Sequence, residues 1–417
     1  MSQIIAIIGG GAAGMMAAAT ICEQKADLEN RILLFERNLK IGHKVMISGG
    51  GRCNVTTGIH DPKEALKRYP RGAKFLRTAF HAFPPDQVME WFENHHVALK
   101  TEKDLRVFPK SDNGEDIVNV FHEIFRKHHV EIHYRTTIAE VHKQDDQFVL
   151  TTSEGQTILA DKIILTTGGQ AYRHTGSQGD GYRFAESLGH TVTELAPSLN
   201  SFMVSEQWLK ELSGTSFQKV RLKIIRDKKY EFTGPILFTH QGITGPAVFA
   251  LSGLAAYEPV SKDQPATLSI DFHPDQTYEQ LTNELNHTIK TEPQKQLIVT
   301  IGKLLTKSLA RTIFELHDIN PEKKQGETAK KELNKLIESL KNTQITLIGK
   351  GAGSEFITAG GINLAEVNPS TMESRLCPGL YFGGEILNID GFTGGFNLQA
   401  AWATGRLIGK SIGNTKY

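Results

Sequence analysis

The sequence predicts an α/β protein whose Rossmann-like, dinucleotide-binding domain is interrupted by a small barrel or sandwich and by a helical insert. Three observations carry this. An apolar run followed by spaced glycines opens the chain, the pattern turns to short alternating strands and then to helical spacing between residues 191 and 341, and glycine-flanked strands return in the last seventy residues.

The opening run Ile4 to Ile8 reads as a strand buried on both faces, and Gly9, Gly11 and Gly14 fill the Gly-x-Gly-x-x-Gly frame. Gly9 allows the tight turn, Gly11 lets a pyrophosphate approach the backbone, and Gly14 lets helix and strand pack closely. Ala12 and Ala13 sit at the start of the helix, whose unpaired N–H groups aim at the phosphates. A second strand, Arg31 to Phe35, ends in Glu36, which lies 22 residues beyond Gly14, near the spacing of an acid that binds a ribose hydroxyl. No basic segment precedes the apolar run and three glycines would break an export helix, so a signal peptide is not expected.

At 417 residues, two or three domains are expected. Lys plus Arg number 47 and Asp plus Glu 46, which gives no electrostatic case for nucleic acid or an anionic membrane, so the expected partner is a small molecule. Cys22, Cys53 and Cys377 are three and far apart, without a C-x-x-C pair, which fits a reducing cytoplasm and argues against a disulfide framework. No apolar run reaches the length of a membrane span, and no metal-ligand spacing appears.

After Glu36 comes Ile41-Gly-His-Lys44, then Ser48-Gly49-Gly50-Gly51-Arg52-Cys53-Asn54. Consecutive glycines let backbone press against a ligand, with Lys44 and Arg52 available for charge. Helices are expected at 85–93 and 113–129, a hairpin between Leu99 and Pro109, and strands at 130–134, 138–143, 148–152 and 157–159. A buried strand from Ile163 runs into Thr167-Gly168-Gly169, which places backbone against the same ligand from another side. Asp180 precedes a helix and is either a plain N-cap or part of a site, and Arg173 and His174 stand just before it.

Residues 191–272 carry alternating strands and the segment Phe238-Thr-His240-Gln-Gly-Ile-Thr-Gly-Pro246. Residues 275–341 carry Lys, Glu and Leu at helical spacing, the charges reading as a solvated face. Gly349 to Gly353 does not qualify as a second dinucleotide loop, because Ser354 replaces the third glycine and no helix follows. The closing stretch runs from a strand through Gly384-Glu385 to Gly394-Gly395-Phe-Asn397-Leu398-Gln399 and an Ala-rich helix, a second anion or carbonyl site at a helix start.

Taken together, these motifs resemble the BaiN/RdsA-like flavoproteins, a family also described as aminoacetone oxidase family FAD-binding enzymes and NAD(P)/FAD-dependent oxidoreductases. The resemblance includes Thr371 to Ser374 and the Thr-His-Gln-Gly-Ile-Thr-Gly-Pro segment, and runs through nearly the whole chain. It implies an FAD domain of glutathione-reductase type from residues 1–190 and 350–417, a barrel from 191–274 and 342–349, and a helical insert at 275–341. It places the pyrophosphate on Gly9 to Gly14, the adenosine ribose on Glu36 beside Arg37, the adenine against the backbone of Ile138, and the isoalloxazine between Ser48 to Asn54 and the Asn397-Leu398 helix start. Thr175 to Asp180 is also similar to a segment of fumarate reductase and ketosteroid dehydrogenase flavoproteins.

The expected function is hydride transfer between FAD and a small organic substrate held between the FAD domain and the barrel. With one complete fingerprint, NAD(P)H would visit the flavin transiently, or oxygen would be the acceptor. His240 is the first candidate acid or base and His174 the second, against the alternative that His240 is fixed by backbone hydrogen bonds. Cys53 either attacks or shields the flavin or is an inert buried thiol, and His43 is a position for covalent FAD. Two other classes remain: a flavin-binding redox sensor or interaction module, and an RNA-modifying flavoenzyme.

Overall fold

The computed structural model describes residues 3–24, 30–226, 228–351 and 356–413. Gly353 and Ser354, and with them the end of the rejected second glycine loop, lie outside the described residues. The chain forms two compact units, Met1–Ser198 with Phe356–Tyr417, and Leu199–Glu355.

The first unit is built on a five-stranded parallel sheet. Its strands are β1 (Ile4–Ile8), β2 (Arg31–Phe35), β3 (Glu131–His133), β4 (Lys162–Leu165) and β5 (Leu380–Phe382), in the order β5-β4-β1-β2-β3. Apart from Arg31 and Lys162 at their first positions, the central strands are apolar, because both faces are covered. After β1 comes helix α1 (Ala12–Glu23), and after β5 comes helix α2 (Phe396–Gly413), and the two pack against each other. Small residues make this crossing possible. A Cβ on Gly405 would stand 2.4 Å from the Ala13 carbonyl oxygen, and one on Gly409 2.4 Å from Thr20 Cβ. The expected hairpin is present as Leu99–Thr101 and Arg106–Pro109, and a separate antiparallel sheet joins Ile138–Gln144, Gln147–Thr152 and Thr157–Ala160.

In the second unit the alternating strands close into a six-stranded barrel, in the order Phe202–Val204, Gly242–Thr244, Lys229–Phe238, Ser216–Ile225, Ala266–Asp271 and Thr343–Lys350. That settles the choice between barrel and sandwich. The sequence pattern missed the helix Pro246–Leu254, which interrupts the strands. Its residues are apolar on nearly every side, so it has no 3.6-residue stripe, and the usable signal was Pro246 at the first helical position after Gly245. Helices Tyr278–Thr291, Leu297–Leu304, Lys307–Leu316 and Lys330–Asn342 share the barrel's core: Leu281, Leu309, Phe314 and Leu336 belong to one cluster with Val220, Leu222, Leu268 and Ile270. No helix of the described residues is long and apolar enough to cross a membrane.

The two helix glycines predict substitutions of opposite sign. Gly405→Val drives side-chain atoms into the Ala13 backbone, and overpacking of about 1–3 kcal/mol outweighs a propensity gain of about 0.5 kcal/mol. Gly302, inside Leu297–Leu304, has nothing closer than 3.8 Å, so Gly302→Ala is expected to stabilise by about 0.5–1 kcal/mol. Denaturant midpoints of the two variants check both signs.

Candidate active site

Four of the five parallel strands end in the residues that the sequence singled out. β1 runs into Gly9, β2 into Glu36, β4 into Thr166 to Gly169 and β5 into Gly383-Gly384, so the candidate residues gather at the carboxyl edge of the sheet, where open α/β sheets bind ligands.

Each glycine of the first loop is constrained differently. Gly9 has φ +105 and a Cβ there would meet the Thr166 carbonyl oxygen at 2.6 Å, and a Cβ on Gly14 would meet the Gly9 oxygen at 2.2 Å. Gly11 has open space above it, the nearest atom being 4.0 Å away. No side chain caps α1, whose N-cap residue is Gly11, so its first N–H groups are left for a ligand. Glu36 is 9% exposed and accepts from Gly10 N at 3.0 Å, and from Asn38 N and Nδ2 at 2.9 and 2.8 Å. Burial pushes its pKa up, against the pull of those N–H donors. The chain at 135–136 donates to the Asn38 and Glu36 carbonyls, which sets Ile138, at the head of its strand, close behind Glu36.

Most cations that the sequence offered for phosphate or flavin are already paired. Arg37 forms an ion pair with Asp180. Asp180 is the first helical residue, not the N-cap, a place taken by Gly179 at φ +89, so its role is to hold Arg37. Lys44 Nζ lies 2.7 Å from Glu385 Oε2 and 3.5 Å from the Ala171 oxygen, while Glu385 Oε1 accepts the Thr358 N–H at 2.9 Å. Arg52 bonds Glu102 at 2.8 Å and lies 3.8 Å over the Phe108 ring, part of an exposed charge network with Asp112.

The Ser48 to Asn54 loop has three successive glycines at φ +59, +74 and +88, and a Cβ placed on Gly50 or Gly51 would have nothing within 4 Å. Ser48 Oγ donates to the Val45 oxygen at 2.8 Å, and the Asn54 amide sits between the Gly395 N–H at 2.9 Å and the Thr56 oxygen at 3.1 Å. Gly395, at φ +86, passes so close to Thr56 that a Cβ would stand 2.2 Å from its oxygen. Asn397 spends its side chain on both backbone groups of Gly391, each at 2.8 Å, leaving its backbone and that of half-buried Leu398 at the start of α2. Gly168 is left-handed, and a Cβ on Gly169 would collide with Thr358 Oγ1 at 2.5 Å. Gly384 donates to Thr404 Oγ1 at 3.0 Å.

Sequence reasoning missed Thr358, whose hydroxyl accepts the Gln170 and Ala171 N–H groups, and Asn38, which also donates to the Thr175 oxygen at 2.8 Å. It missed the buried Asp390, paired with Arg71 and accepting Ser198 Oγ at 2.9 Å. Asn38, two residues past the strand-end acid, was the one legible signal. Of the candidate histidines, His174 is exposed, edge-on to Tyr172 at 5.7 Å and to His43 at 6.5 Å. His240 is exposed on the barrel, between Lys229–Phe238 and Gly242–Thr244, and its ring has no hydrogen bond among the described residues, which removes the backbone-fixed alternative.

The residues present fit a dinucleotide flavin. Space over Gly11 and an uncapped helix start meet at the carboxyl edge of the sheet. The sequence profile of the HI0933-like protein Rossmann domain matches residues 3–411. The chain belongs to this family. It is 30% identical over 409 residues to the 3-dehydro-bile acid delta(4,6)-reductase of Clostridium scindens, covering 98% of each chain. It is likewise 30% identical over 400 residues to the ribosomal RNA dihydrouridine synthase of Escherichia coli, covering 95% of each. Among solved structures, the apo Sdh1 complex of Mycobacterium smegmatis shares the fold, with a TM-score of 0.51 at 15% identity over 99% of this chain and 68% of that one. The protein is an FAD-dependent oxidoreductase.

Cys53 is fully buried at φ +60, and burial pushes its thiol up to about 12; Cys22 is likewise raised to about 12. Thiolate is therefore scarce at neutral pH and appears only as the pH approaches those values. Alkylation of the native protein by iodoacetamide at about pH 8 is expected to label either cysteine about a thousandfold more slowly than a free thiol. Mass-mapped labelling rates check it, and rapid loss of the Cys53 thiol would restore it as a nucleophile.

Proposed function

We propose that the protein is a reductase that saturates a carbon–carbon double bond conjugated to a carbonyl, drawing electrons from NAD(P)H. The observation that carries this is that two relatives, matched end to end at equal identity, are named for very different molecules but one kind of bond change. A 4,6-unsaturated 3-oxo steroid acid and the 5,6 double bond of uracil are both electron-poor alkenes conjugated to a carbonyl, each gaining a hydride at one carbon and a proton at the other.

Bound FAD would supply the hydride, restored from NAD(P)H. The chain's own part is binding and charge. The first N–H groups of α1 and the open backbone at Gly11 would take the pyrophosphate, with Ala12 and Ala13 at its phosphates, and Glu36, oriented by Gly10 and Asn38, would take ribose hydroxyls. The Lys44–Glu385 pair ties the segment before the triple-glycine loop to the β5 end. The N-terminal end of the eighteen-residue α2 would favour negative charge on the reduced ring. The proton would come from an imidazole, His240 first and His174 second.

Anaerobic absorbance of the FAD-loaded protein tests this. NADPH or NADH is expected to bleach the flavin band, and 2-cyclohexenone to restore it. A band that nicotinamides leave oxidised removes the donor, and a bleached band that enones do not restore removes the acceptor class. His240→Ala is expected to slow enone-dependent reoxidation about a hundredfold while leaving reduction by NADPH unchanged. An unchanged reoxidation rate passes the proton to His174 or to solvent.

A further inference from the structure

Among the described residues three carboxylates are buried, Glu36, Asp271 and Asp390, and Asp390 is the most enclosed at 1% exposure. Arg71 approaches it as a fork, Nε onto Oδ1 and Nη2 onto Oδ2, and Ser198 Oγ donates to Oδ2 at 2.9 Å. Burial pushes the Asp390 carboxyl pKa up and the Glu385 charge adds to this, while Arg71 and Ser198 pull it down by bonding the ionised form. Arg71 is itself largely enclosed, its side chain 16% exposed. An ion pair taken out of water in this way gains little stability over apolar side chains of the same size, so stability alone does not account for it.

The pair is held against the start of α2. Arg71 and Asp390 also meet through their backbones in an antiparallel bridge, and a Cβ on Gly72 would stand 2.2 Å from Ile389. Gly391, next to Asp390, exchanges both of its backbone bonds with the side chain of Asn397, the second residue of α2. The Tyr69 hydroxyl, two residues before Arg71, donates to the Phe396 oxygen, in the first residue of that helix. From the other side Glu385, paired with Lys44, lies near enough for its charge to act on Asp390. A full negative charge and its counter-charge therefore border the helix end that would face the reduced ring.

We propose that Asp390 and Arg71 set the reduction potential of the flavin, the carboxylate opposing and the guanidinium favouring the charge that the ring gains on reduction. The inference rests on the placement of the isoalloxazine at the start of α2. Taking up a hydride leaves the ring one unit more negative, and charges shielded from water act on it more strongly than exposed ones. Asp390 offsets Arg71, so that the partial charge of the helix end remains the deciding influence. A reduced ring that is not held too firmly stays a good hydride donor. Both side chains act through their field and through the loop they fix, as positioning residues.

Potentiometry of the FAD-loaded full chain against a reference dye tests this, with dithionite as reductant so that no nicotinamide is needed. Asp390→Asn keeps the shape and an acceptor oxygen for Arg71, and is expected to raise the ratio of reduced to oxidised flavin at a fixed potential about tenfold, about 30 mV for a two-electron couple. Asp390→Asn combined with Arg71→Gln removes both charges, and is expected to return the ratio to within about twofold of the wild type. A loop that is merely disturbed would shift further in the double variant than in the single one. Should Asp390→Asn not fold, Arg71→Gln alone is expected to lower the ratio relative to the wild type at the same pH. That loss is larger at about pH 9 than at about pH 6, where Asp390, now faced by Glu385 with its partner Lys44 and by the Ser198 hydroxyl, takes up a proton. A wild-type potential in Asp390→Asn, or a larger shift in the double variant, overturns the proposal. Reoxidation by 2-cyclohexenone with unshifted potentials in the variants removes this proposal and leaves the reductase; the expected shifts in a protein whose reduced flavin no enone reoxidises remove the reductase instead.

Discussion

The first unit depends on backbone meeting backbone without side chains between. Gly405 and Gly409 of the last helix press on Ala13 and Thr20 of the first, Gly14 presses on Gly9, and Gly395 presses on Thr56. All but the Gly14–Gly9 contact join segments far apart in the sequence, and each leaves too little room for a methyl group. A cofactor cleft of dinucleotide length needs this closeness, since its walls are main chain and their spacing is set by how near two backbones approach. Side chains then adjust the cleft, but they do not set its width.

Charge in this unit is largely internal. Arg37, Lys44 and Arg52 are each matched by a carboxylate from a distant part of the chain: Asp180, Glu385 and Glu102. The sequence shows the cations but not their partners, because pairs separated by up to about 340 residues leave no local spacing to read. Such pairs hold loops in place. The charge left over for a phosphate comes mostly from main-chain N–H groups at helix starts, where it adds no net charge to the composition.

How much was legible follows the range of the interaction involved. Gly9, Glu36, Gly168 and Gly384 follow apolar runs, so their place at strand ends could be read locally, and the parallel order that brings those ends to one edge follows from the fold class. The barrel was visible as alternation, although closure was not, because a sandwich has the same period. Helix Pro246–Leu254 was hidden by being apolar all round. Asp180 stayed open between a plain cap and a site residue, because acids often precede helices, yet Gly179 occupies the cap and Asp180 answers Arg37. Thr358 and Asp390 carried no signal, since their importance lies wholly in partners far away in sequence.

The order of strands has a consequence for how the protein is made. β4 receives its neighbour β5 only after the intervening unit, Leu199–Glu355, and the strand Ile357–Ala359 have been synthesised. Until then one edge of a buried, largely apolar strand, Lys162–Leu165, has unpaired backbone groups and α1 lacks the helix that covers it. The second unit, continuous in sequence, closes its barrel on more local contacts meanwhile. The nascent chain therefore exposes a sticky sheet edge for the time it takes a ribosome to pass the insertion, and a chaperone that shields apolar edges is best employed in that interval.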